Sequence, residues 1–169
     1  MANSSIIGDL KSAVITEIIN DEGLFHAINS PDITNFQESD QLINTHLFRF
    51  HQNPDTISRE ITFLTFQVHI SNISSQNLWV KPTLEIWIFS HNNHMLVDNI
   101  PQIVDDRNDY ISKLLDLKFN GRSSIGDIQL CGELTLKSNV EGAFNQKFLY
   151  RRMIFETKDI NNSFCWEKN

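Results

Sequence analysis

The sequence predicts an α+β domain: an antiparallel or mixed β-sheet with two main helices packed on one face, in the order α-β-β-α-β-β. Three observations lead there. An apolar stripe of helical period opens the chain, and two runs that alternate with period two follow it. A second helical stripe then precedes two more strand-like runs. At 169 residues the chain is long enough to bury one core. It contains neither a fixed-period repeat nor a linker that would divide it, so a single domain over 1–169 is expected.

The first element falls within residues 1–23. Ser4 or Ser5 is placed to cap a helix whose stripe is Ile7, Leu10, Val14 and Ile18, and "NDEG" ends it. Gly23 suits the left-handed position after a helix. Residues 24–58 are polar and rich in turn signals, and read as an irregular, extended crossing segment with a short strand near Leu47 to Phe50.

The sheet and second helix occupy 59–160. In "ITFLTFQVHIS", Leu64, Phe66, Val68 and Ile70 face one side, and Thr65, Gln67, His69 and Ser71 the other. After the polar "NISSQN", the run "LWVKPTLEIWIFSH" puts Leu84, Ile86 and Ile88 on one face, and Trp87 and Phe89 on the opposite one. Apolar residues on both faces mark a central strand, or a side reserved for a partner. Pro82 belongs near a strand's beginning or at an edge.

Residues 104–118 predict the second helix, with Tyr110, Leu114 and Leu117 as one stripe and Ile111 and Leu115 beside it. Its acidic start, with Asp105, Asp106 and Asp109, complements the positive helix N-terminus, and Gly121 is available for the closing turn. A strand with Ile128, Leu130, Gly132, Leu134 and Leu136 on one face follows. A hairpin loop "NVEGAFNQ" at 139–146 leads to a last strand with Leu149, Met153 and Phe155, and residues 161–169 form a tail.

Composition narrows the function. The formal net charge of −7 weighs against non-specific binding of nucleic acid or anionic membranes. No apolar run approaches 18 residues, so no membrane span is expected, and no basic region followed by an apolar stretch suggests a signal peptide. Two cysteines, Cys131 and Cys165, make neither a disulfide framework nor a zinc site, and a reduced intracellular setting is the default. Phosphate-cradling glycine motifs and the G-x-S-x-G elbow are absent from the sequence, and no cofactor is expected.

Two stretches bear on chemistry. "FSHNNHMLVD" sets His91 and His94 three apart. With a third ligand from Asp98, Asp105 or Asp106 they would form a metal site, but Asn-Asn signals a turn, which favours exposed loop histidines. In "YRRM", alternation puts Arg151 and Arg152 on opposite faces. Such arginines serve a subunit interface by bidentate carboxylate contacts, or guard an exposed sheet edge.

Four segments together, "HQNPDTISREITFLTFQVHIS", "LEIWIFSHNNHMLVD", "DRNDYISKLLDLKFNGRSSIGDIQLCGELTL" and "FLYRRMIFETKDIN", resemble the tail terminator or head–tail joining (neck) proteins of phages of Gram-positive hosts, or of related contractile particles. The likeness covers most of residues 1–160 through patterning, and the 29–45 segment fits it least. It implies a virion subunit, assembled in the host cytoplasm, that forms a homo-oligomeric ring, commonly a hexamer. Such a ring caps the tail tube, stops its growth and joins it to neck or connector proteins, without catalysis and with DNA passing through an acidic lumen. On this resemblance Trp87, Phe89, Arg151 and Arg152 are the candidate subunit contacts. Ser74, Ser75, Gln76, Glu141 and Phe144 are the candidate axial contacts to tube or neck. The alternatives are a head-completion (stopper) protein, an adaptor module outside any virion, and a metal-dependent enzyme using His91 and His94.

Overall fold

A computed structural model describes residues 5–73, 80–130 and 132–157. Helix α1 spans Ser5–Ile19 and buries Leu10, Val14, Ile15 and Ile18, the expected stripe widened by Ile15, with Ile7 half-buried. The helix stops earlier than its pattern suggests. Asp21 caps a separate helix α2, Glu22–Ile28, by accepting the Leu24 N–H at 3.0 Å. Gly23 therefore lies inside the first turn of α2, and the left-handed residue is Asn29 at its C-terminus (φ 51°).

Strands β1 (Leu47–Phe48), β2 (Thr62–Ile73) and β3 (Val80–His91) follow, then helix α3 (Arg107–Phe119), the short pair β4 (Ser124–Ile125) and β5 (Ile128–Gln129), and the long hairpin β6 (Thr135–Ala143) and β7 (Phe148–Glu156). The main sheet has the order β1-β2-β3-β7-β6 and is mixed, because β1 runs parallel to β2 while the other pairs are antiparallel. The α+β prediction holds, with three α-helices among the described residues, rather than two, over one face. The short strand expected near Leu47 is β1. Pro82 sits three residues into β3, opposite Ile70 beside a register shift, where a missing N–H is tolerated.

Three expected elements differ in detail. The stripe of α3 is Asn108, Ile111, Ser112, Leu115 and Phe119, whereas Leu117 is 76% exposed. Phe119, one residue beyond the expected helix, is its last residue and packs edge-on near Phe155. The run from 128 to 136 is not one strand: β5 folds back on β4, and β6 begins at Thr135. The hairpin loop shrinks to residues 144–147, because Asn139–Ala143 continue β6 in register with Leu149–Met153. Gly121 (φ 81°) does occupy the turn after α3.

The larger core lies between the helices and the face bearing Leu64, Phe66, Leu84, Ile86, Ile88, Met153 and Phe155. Arg107, wholly buried, ties that side together. Its guanidinium donates to the carbonyls of His94 (2.6 Å), Ala27 (2.7 Å) and Leu96 (2.5 Å), so three separate loop and helix ends share one cation.

Candidate functional site

Because side chains alternate across a strand, the odd-numbered residues of β3 point away from the helices. Phe89 stacks on Phe63 at 5.0 Å and on Trp87 at 5.7 Å, and Tyr150 leans on Trp87 at 4.9 Å. Phe48, Ile61, Phe63, Phe89 and Phe148 form a second, smaller core beneath the segment that precedes β2. That segment covers only part of the face. Trp87 and Tyr150 remain half-buried, and Val140 and Phe50 are exposed.

The uncovered part carries a charged network. Glu85 accepts from Arg152 Nε at 2.6 Å and from Trp87 Nε1, and His69 Nε2 lies 3.2 Å from its second oxygen. The Arg152 guanidinium sits 5.2 Å above the Trp87 ring, a cation–π geometry. Burial resists ionisation of Glu85, but Arg152 and the indole N–H hold its carboxyl below the usual carboxylate range. The carboxylate is only 6% exposed, so the outer surface displays Arg152 and the rings rather than Glu85. Gly142 belongs to the same face. A Cβ there would come within 2.6 Å of the Tyr150 hydroxyl, so the ring lies directly across the glycine.

Trp87, Phe89 and Arg152 thus share one face of the sheet, but Phe89 is wholly buried in the smaller core and is no surface contact, and the structure separates Arg151 from them. Arg151 faces the helices, donating to Asp109, to Glu141 (3.2 Å) and to Asn139 (3.1 Å) at a cleft of about 410 Å³ beside the start of α3. Phe144 packs edge-on against Phe89 at 5.8 Å. The hairpin tip is clasped to the 53–57 turn by Asn145, which donates to Asp55 at 2.7 Å. Glu141 lies in β6 as the exposed partner of Arg151. Ser74, Ser75 and Gln76 lie outside the described residues, as do Cys131 and Cys165.

His91 and His94 do not converge on a ligand position. His91 begins the 3-10 turn Asn92–His94, accepting the Asn93 N–H at 3.2 Å. His94 turns inward, with Nδ1 2.8 Å from Thr62 Oγ1 and Nε2 3.5 Å from Asn29. Burial and the neighbouring Arg107 push its pKa down to about 4. Asp106 is occupied as the cap of α3, accepting the Asp109 N–H at 2.8 Å. Among the described residues, no group of three or more His, Cys, Asp or Glu is arranged to hold a metal.

Sequence reasoning missed Glu85, Tyr150 and Gly142. Parity offered a signal for the first, since Glu85, Trp87 and Phe89 must share a face. The partner strand and register that bring Arg152 to Glu85 are not written in β3.

Comparison with known proteins adds two findings. A family model described as YomW matches residues 16–157. Among solved structures, a chain from the virion of a native gene transfer agent (GTA) particle shares the fold with a TM-score of 0.57. That match covers 92% of this chain and 98% of the other at 9% sequence identity, a likeness of fold. No curated protein matches.

Proposed function

From a chain that belongs to the YomW family, we propose a structural protein of a phage-like virion, specifically the tail terminator: a ring, six subunits in number, that caps the tail tube, stops its polymerisation and joins it to the neck. The observation that carries this reading is the fold shared with a virion chain over 92% of this protein and 98% of that chain. It is supported by the sheet face bearing Trp87, Tyr150 and Arg152, which no helix among the described residues covers and which suits a subunit contact better than chemistry. The acidic balance of −7 suits a ring whose lumen repels passing DNA. The metal-enzyme alternative is weakened by His94, whose two nitrogens face Thr62 and Asn29.

The test is imaging and mass measurement of the purified protein, together with isolated particles. Rings of a fixed mass are expected, located between tube and neck, and particles lacking the protein should carry tails of uncontrolled length. A chain that stays monomeric at high concentration and is absent from isolated particles overturns the reading. Rings found on the head side of the neck would assign the protein as a stopper instead. For the hairpin, Phe144→Ala should impair particle assembly or length control. Unchanged assembly and tail length would remove its axial role.

A further inference from the structure

The connection from the turn at Asn92–His94 into α3 exposes apolar side chains that a solvated loop does not need. Leu96 is 78% and Val104 96% exposed, with Asp98 and Asp105 exposed beside them. The backbone is fixed at both ends of this connection. Arg107 holds the carbonyls of His94 and Leu96 and approaches Asn99 Oδ1 at 3.4 Å, its own N–H bonds the Met95 carbonyl at 2.8 Å, and Asn99 donates to the His26 carbonyl at 2.7 Å. A loop ordered in advance, with apolar tips outward, loses little further freedom when it binds.

The uncovered sheet face has the complementary character. It offers an aromatic floor of Trp87 and Tyr150, exposed Val140, and the guanidinium of Arg152, while the Glu85 carboxylate is buried beneath. The loop offers aliphatic tips flanked by carboxylates. The two surfaces lie on opposite sides of the sheet, since the loop is fastened to α2 and leads into α3. One copy can therefore give its loop to a neighbour and accept another loop at the same time. A contact of that kind is head-to-tail and closes into a ring when the rotation allows.

We propose that the 95–106 loop of one copy docks on the Trp87–Tyr150–Arg152 face of the next, with Leu96 and Val104 on the rings and Asp98 or Asp105 towards Arg152. This rests on the ring reading and assigns its interface.

Three surface variants test it. Leu96→Asp,Val104→Asp spoils the loop and leaves the face intact, whereas Val140→Asp spoils the face and leaves the loop intact. Trp87→Ala serves as a second face variant. All four substituted positions are at least partly exposed, and circular dichroism confirms folding. By mass photometry and sedimentation the wild type should give ring mass and each variant alone only monomer. An equal mixture of the loop and face variants should give a dimer, because one good pair of surfaces remains. Ring formation by the loop variant, or a mixture that stays monomeric while the wild type assembles, overturns this interface and leaves the ring reading standing. A monomeric wild type overturns this interface, and together with absence from isolated particles it overturns the ring reading as well.

Discussion

Arg152 and Glu85 face each other across β7 and β3 with Nε 2.6 Å from Oε1, and Arg152 also caps the Trp87 ring at 5.2 Å. A carboxylate that is 94% hidden on the outward side of a sheet depends on such a cation. Arg152→Ala should cost about 2 kcal/mol, less than the roughly 3–5 kcal/mol for breaking a fully buried pair, because Arg152 is itself partly exposed. Arg152→Lys should recover only part, since an ammonium cannot bond Glu85 and lie flat on the indole together. Urea denaturation of the three proteins checks this ordering. An Arg152→Ala midpoint equal to wild type would show that the network is not stabilising.

Arg107 is the opposite case, a cation satisfied by backbone rather than by a paired carboxylate; Asp98 approaches only to 3.9 Å and is itself exposed. Arg107→Met fills similar space but orphans the carbonyls of Ala27, His94 and Leu96. A loss of about 3–5 kcal/mol is expected at roughly 1–3 kcal/mol per unsatisfied buried group, softened by water entry. Hydrogen exchange should speed up first in residues 94–99 and at the end of α2. Uniform acceleration across the sheet instead would contradict the clamp.

Two histidines make stability depend on pH. His46 is 1% exposed, its Nε2 has no hydrogen-bond partner among the described residues, and burial followed by the Arg59 charge pushes its pKa down to about 4. His94 is also held at about 4. The unfolded chain takes up these protons near pH 6.5, before the folded chain does. Stability is therefore complete above that pH and declines as pH falls towards 4, on the order of 3 kcal/mol from His46. Denaturation midpoints at pH 7, 5.5 and 4.5 should fall in sequence, and His46→Asn should flatten the slope. A midpoint that is level between pH 7 and 4.5 would contradict the assignment.

Gly142→Ala places a methyl against the Tyr150 hydroxyl and ring, which are held by Trp87 and Phe89. Overpacking of this kind should cost about 1–2 kcal/mol. In a Tyr150→Ala background the same change should cost almost nothing, and a double-mutant cycle on thermal unfolding reads the coupling.

Much of the fold was legible because burial repeats with the period of each element. The stripe of α1, the alternation of β2 and β3, the acidic cap of α3 and the opposition of Arg151 to Arg152 all follow from local spacing. The errors share one cause. At Gly23, Leu117 and the 139–146 segment, local propensity alone points the wrong way. Asp21 capping a new helix, Phe119 reaching Phe155, and β6 pairing through Ala143 are contacts made with distant chain.

The candidate site divides the same way. Sequence alone determined that Trp87 and Phe89 lie on the face opposite Leu84, Ile86 and Ile88, since a strand's side chains must alternate. Only the tertiary structure decided that β7 lies beside β3 in the register that sets Arg152 over Trp87 and against Glu85. It also turned His94 inward to Thr62, and put Arg107 beneath the 95–106 loop. Each of these joins residues far apart in the chain or reverses a local signal. Pairing and burial across the whole fold, rather than spacing along the chain, select them.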